Sequence, residues 1–153
     1  MPSNVIHLPT GPHWRVLIAH QRDMVRHALR TLIEAEDIAV VEVADGEGAF
    51  SELASARFDL LVLELDLPEH DGVTVMKMHR ILLANQHNRA EPPAIIFTLA
   101  PEVRSNATLT DHLRTLGVAG LIDDDPRSEV ASLVEATLRA RTAQFAAGKP
   151  AAA

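Results

Sequence analysis

Residues 59–72 read Asp59-Leu60-Leu61-Val62-Leu63-Glu64-Leu65-Asp66-Leu67-Pro68-Glu69-His70-Asp71-Gly72, and this stretch decides the fold. Leu60-Leu61-Val62-Leu63 is too short for a helix and apolar at every position. A strand buries consecutive side chains in this way only when both faces are covered, as in a parallel sheet clothed by helices. Working outward, runs of the same kind recur at Val16-Leu17-Ile18-Ala19, Ile38-Ala39-Val40-Val41 and Ala94-Ile95-Ile96-Phe97, with a weaker one from Val118 to Ile122. Five buried strands are expected.

Helical periodicity fills the gaps between them. Met24, Ala28, Leu29, Leu32 and Ile33 recur at three- and four-residue intervals, which predicts an apolar stripe on a helix over about residues 23–36. Gly46-Glu47-Gly48 lacks the third glycine of a dinucleotide turn and follows the second strand, so it opens a helix behind Asp45. Val73, Met76, Ile81 and Leu83 mark a third helix over about 73–86, with Met76 and Met78 as packing residues. The last helix is expected to be capped by Asp125, with Pro126 in its first turn and Val130, Leu133, Val134 and Leu138 on its inner face. Five strands alternating with five helices imply right-handed parallel βαβ units with helices on both faces of the sheet. Residues 1–13 read as a flexible arm, 14–142 as the domain, and 143–153 as a low-complexity tail or the start of a linker.

Composition excludes several functions. Acids outnumber bases 21 to 14 and the net charge is −7, which argues against a nucleic-acid surface. There is no cysteine, hence no disulfide framework, thiolate site or Cys nucleophile. No apolar run approaches the ~18 residues of a membrane span, so a cytoplasmic protein is expected. Neither a phosphate-binding glycine loop nor a nucleophile elbow is present. His79 and His87 are expected on a solvated helix face or in the loop after it.

The 59–72 stretch resembles the third strand and following loop of the receiver domains of bacterial response regulators. In that family an apolar strand ends in the phosphoacceptor Asp, a Pro follows four residues later, and Asp-Gly opens the next helix. Pro93-Ala94-Ile95-Ile96-Phe97-Thr98 and Leu116-Gly117-Val118-Ala119-Gly120-Leu121-Ile122 resemble the family's fourth strand and its turn into the fifth. The resemblance implies a flavodoxin-like α/β fold, a five-stranded parallel sheet of order 2-1-3-4-5. In such sheets function gathers at the carboxyl ends of the strands, by the topological switch point.

At those ends this chain departs from the family. The two acids that hold Mg²⁺ are replaced by His20 and Gln21, a poor substitute for hard oxygen ligands. The phosphoacceptor-equivalent position is Glu64, one methylene longer, which carries its oxygens about 1.5 Å further out. Misplacement on that scale can cost about a hundredfold in rate. Asp66, a second carboxylate near the cleft, would lie about 7 Å beyond Glu64 on the same face if the strand continued. The Lys position is Asp124, an anion that would repel Glu64, and the switch-aromatic position is Leu121. The switch hydroxyl, Thr98, remains.

These departures imply a degenerate receiver, a pseudo-receiver, that binds a signalling partner (a sensor kinase, an effector or itself) independently of phosphorylation. It is expected not to be an enzyme, to need no cofactor and to have lost or weakened Mg²⁺ binding. A homodimer is possible through the face of the fourth helix, fifth strand and fifth helix, beside a Thr98-to-Gly117 segment about one helical turn longer than usual. The alternative is a conventional response regulator phosphorylated on Glu64 or Asp66. For the remodelled cleft three arrangements are open. His20, Glu64, Asp66 and Asp124 could form a satisfied polar cluster with a raised histidine pKa. Glu64 could imitate a phosphorylated aspartate by reaching Thr98. Or the imidazole and carboxylates could hold a transition metal such as Mn²⁺ or Zn²⁺.

Overall fold

The computed structural model describes residues 13–86, 91–125 and 129–148. The arm over 1–12, His87, Pro126 and the end of the tail lie outside the described residues. Strands β1 (Trp14–Ala19), β2 (Ile38–Val43), β3 (Leu60–Glu64), β4 (Ala94–Leu99) and β5 (Gly120–Asp123) form one parallel sheet in the order β2-β1-β3-β4-β5. Every residue of β3 is buried, as its unbroken apolar run requires at the centre of the sheet. The order is that of the flavodoxin-like fold.

Alternate residues of each strand serve opposite faces. Leu17, Leu61, Leu63 and Phe97 pack with Ala49, Leu53, Val75, Met76 and Leu113, which come from α2 (Gly46–Ser55), α3 (Gly72–Ala84) and α5 (Ala107–Thr115). Val16, Ile18, Leu60, Val62 and Ile96 face the other way. They pack on Leu29 and Ile33 of α1 (Asp23–Ile33) and on Val130, Val134 and Leu138 of α6 (Val130–Gly148).

Several expectations are corrected. There are six helices among the described residues, because the Thr98-to-Gly117 segment holds a one-turn α4 (Pro101–Arg104) before α5. In α1 the covered face is narrower than the apolar stripe. Leu29 and Ile33 are buried, whereas Met24 in the first turn is 85% exposed and Leu32 is exposed too. Ile81 is likewise exposed on α3, while His79 is buried rather than solvated, because it shares the inward face with Val75 and Met76. Helix α6 starts at Val130, five residues after Asp125, and runs to Gly148.

Register sets the site. Ala19, Leu63, Phe97 and Leu121 form one row across the sheet, and Glu64, Thr98 and Ile122 the next. His20 follows Ala19 directly, so it reaches the same edge as Glu64 and Thr98. Behind Glu64 the packing admits no side chain. A Cβ on Gly72 would lie 2.4 Å from Phe97 Cε1 and 2.7 Å from the Glu64 carbonyl oxygen.

Candidate functional site

The carboxyl edge brings together His20 after β1, Glu64 at the end of β3, Thr98 near the end of β4 and Asp124 after β5, and all four side chains are buried. His20 is the hub. Its backbone N–H donates to Val43 O (3.1 Å) and its carbonyl accepts from Arg26 Nη1 (2.8 Å). Its Nδ1 accepts from the Arg22 backbone N–H at 3.1 Å. An imidazole nitrogen that accepts carries no proton, so the ring's proton is assigned to Nε2, which donates to Asp124 Oδ1 at 2.6 Å. The neutral ring is thereby satisfied at both nitrogens.

That arrangement corrects the expected raised histidine pKa. Burial, the largest influence, pushes the His20 pKa below the ordinary value. The Glu64 carboxylate works in the opposite direction, and the guanidinium groups of Arg22 and Arg26 lower it again. Complete removal from water disfavours the imidazolium more than one carboxylate, 3.7 Å from Nδ1, favours it.

Glu64 is held by Gln21. Oε1 accepts the Gln21 backbone N–H at 2.9 Å and Oε2 accepts Gln21 Nε2 at 3.0 Å. The Gln21 backbone and side-chain amides therefore clamp the Glu64 carboxylate. Glu64 is not hydrogen-bonded to Thr98, so of the three arrangements left open the imitation of a phosphorylated aspartate through that hydroxyl is not what the geometry shows. Thr98 Oγ1 is buried with no hydrogen-bond partner among the described residues.

Asp124 and Asp66 behave differently from expectation. Asp124 turns to His20 and to an ion pair with Arg22 Nη2, while its N–H donates to Leu99 O at 2.9 Å. The repulsion foreseen between Asp124 and Glu64 is relieved because Arg22 delivers a cation from the loop after β1. Sequence reasoning missed Arg22, and also Glu102, which lines the same cavity from α4. The only signal for Arg22 was its place next to Gln21. Asp66 does not continue the strand. It lies in the turn after Glu64, exposed, and contributes its carbonyl oxygen to Gln21 Nε2 at 3.1 Å. The buried cluster is thus His20, Glu64 and Asp124 without Asp66. Leu121 is half-buried and packs against the core beside Phe97, with no hydroxyl to pair with Thr98.

This donor set does not fit Mg²⁺. The oxygens of Glu64 and Asp124 all accept N–H donors, and a ring nitrogen and an amide stand where carboxylates would be needed for octahedral oxygen coordination. A softer ion meets a geometric obstacle. His20, Glu64 and Asp124 each offer an atom within 4.8 Å of the others, yet the imidazole lies between the carboxylates and turns a different nitrogen toward each.

Comparison with known proteins gives one consistent likeness. The response regulator receiver domain family matches residues 16–116. The transcriptional regulatory protein ResD of Bacillus subtilis (strain 168) is 30% identical over 66 residues, 43% of this chain and 28% of ResD. The transcriptional regulatory protein QseB of Haemophilus influenzae is 26% identical over 130 residues, 83% of this chain and 53% of QseB. The chain spans about half or less of the length of these curated relatives. Among solved structures, the receiver domain of AraT, a response regulator from Geobacillus stearothermophilus, is 26% identical with a TM-score of 0.65, covering 84% of this chain and 98% of that one. The signal receiver domain of the response regulator NarL from Mycobacterium tuberculosis has a TM-score of 0.67 at 20% identity, covering 84% and 96%.

Proposed function

Because the chain belongs to the response regulator receiver domain family of two-component signalling, we propose that it is a pseudo-receiver, a module that binds a protein partner without being phosphorylated. The observation that carries this reading is the closed network of His20, Gln21, Arg22, Glu64 and Asp124. Phosphoryl transfer to a carboxylate depends on positioning and on cations that neutralise the moving oxygens. Here Glu64 is held in place by Gln21, and the Arg22 guanidinium that lines the same cleft is committed to Asp124. Loss of Mg²⁺ binding stems from the same groups.

The partner is a signalling protein: a sensor kinase, an effector or a second copy, met in the cytoplasm. No helix among the described residues is long and apolar enough to cross a membrane. A homodimer would use the face of α5, β5 and α6. The module itself is not an enzyme and binds no nucleic acid. The names of the longer relatives speak of transcriptional regulation, and the chain spans 28% of one and 53% of another.

One observation favours the alternative, a conventional regulator phosphorylated on Glu64 or Asp66: Arg22 does bring a cation to the cleft. Incubation with acetyl phosphate and Mg²⁺, followed by intact mass, separates the two. The pseudo-receiver reading expects an unchanged mass. A stable phosphoryl adduct that disappears in Glu64→Ala or Asp66→Asn would overturn it.

A further inference from the structure

We propose that the cleft at the carboxyl edge receives a basic side chain, a lysine or arginine presented by a protein partner. This rests on the reading of the chain as a phosphorylation-independent binding module. The cleft is a cavity of about 350 Å³ walled by Glu64, Asp66, Glu102 and Asp124, with Arg22 the one cation among its described lining residues. That cation is already paired with Asp124. Charge therefore favours a positive ligand, and the exposed rim acids Asp66 and Glu102 would steer it inward.

Thr98 supplies the second, independent observation. It lines the same cavity at 1% exposure, and its Oγ1 has no hydrogen-bond partner among the described residues. A buried hydroxyl left unpaired is disfavoured, and a ligand bringing an N–H donor relieves it. An apolar ligand would leave it unmet.

A basic side chain suits the cleft better than a metal ion. The oxygens of Glu64 and Asp124 accept N–H donors from Gln21, His20 and Arg22, but a carboxylate oxygen has a further lone pair and takes a second donor at ordinary hydrogen-bond distance. An inner-sphere metal would have to displace those donors to approach within about 2.0–2.6 Å. An ammonium with three donors, or a guanidinium with five, matches the acceptors as they stand. The family's cation, missing from β5, would then arrive with the partner.

The test is a ¹⁵N NMR titration of the full chain at low ionic strength with blocked tripeptides Ala-Lys-Ala, Ala-Arg-Ala and Ala-norleucine-Ala, and with Mg²⁺ alone. Saturable shifts at the Gln21, Leu65 and Thr98 amides are expected with at least one basic peptide and not with norleucine. Asp66→Asn and Glu102→Gln, both at exposed positions, should each weaken binding about threefold, as exposed charge pairs do. Thr98→Val should weaken it about fivefold through loss of the hydroxyl. Equal shifts with norleucine, no saturable response to either basic peptide, or the same shifts with Mg²⁺ alone would overturn the proposal. The acetyl phosphate experiment on the same sample separates the two failures. An adduct defeats the pseudo-receiver reading, whereas an unmodified chain that ignores both basic peptides defeats only this inference.

Discussion

At the scale of single residues, His20 and His79 both have pKa values lowered from the ordinary 6.5 by burial. Above that value neither folded nor unfolded chain carries these protons, so their neutral forms cost nothing. As pH falls through 6.5 the unfolded chain binds protons first, and stability declines until the folded-state values are passed. Urea midpoints should therefore drop as the pH is lowered through 6.5, and His79→Leu should remove part of that slope; a flat or rising profile on acidification contradicts the lowered values. Thr98→Val should raise stability by about 1 kcal/mol in equilibrium urea unfolding, since it deletes an unpaired buried hydroxyl. That His20, Glu64 and Asp124 share one edge was legible in the sequence because strand ends fix their places. The closure between them was not. Arg22 meets a residue 102 positions away, and no local pattern records which way a long side chain turns.

Elements are held by devices of differing legibility. The strands were readable because burial on both faces leaves an unbroken apolar run. Helix starts were readable where a capping side chain stands beside the first turn. Asp45 accepts from Gly48 N at 2.7 Å, and Asp71 from Thr74 N at 2.7 Å. Either aspartate changed to alanine should cost about 1 kcal/mol in thermal unfolding. The stripe of α1, by contrast, misled. Periodicity gives an apolar face, but what packs against it decides which members are covered, and Met24 and Leu32 stay exposed. A close element contact lies at the start of α3. Gly72→Ala forces a Cβ against Phe97 and the Glu64 carbonyl, so a loss of about 1–3 kcal/mol is expected. If instead the variant unfolds at the wild-type urea concentration, the close approach does not matter energetically.

For the molecule as a whole, the two apolar clusters share one sheet. Leu61 and Leu63 serve one face, and Leu60 and Val62, their neighbours in β3, serve the other. A strand cannot leave one cluster and stay in the other, so the faces should unfold together rather than in sequence. The chain provides a built-in probe of this. Trp14, its single tryptophan, packs against the cluster formed with α1 and α6, whereas far-UV circular dichroism reports all the helices, including α2, α3 and α5 on the opposite face. Urea curves by tryptophan fluorescence and by circular dichroism should superimpose within error. Leu29→Ala, on the Trp14 face, should shift both by the same amount, about 2–5 kcal/mol. A fluorescence change that precedes the loss of helical signal would mean that α1 and α6 detach as a separate unit. The cleft would then lose the Arg22 side of its network while Glu64 and Thr98 stayed in place.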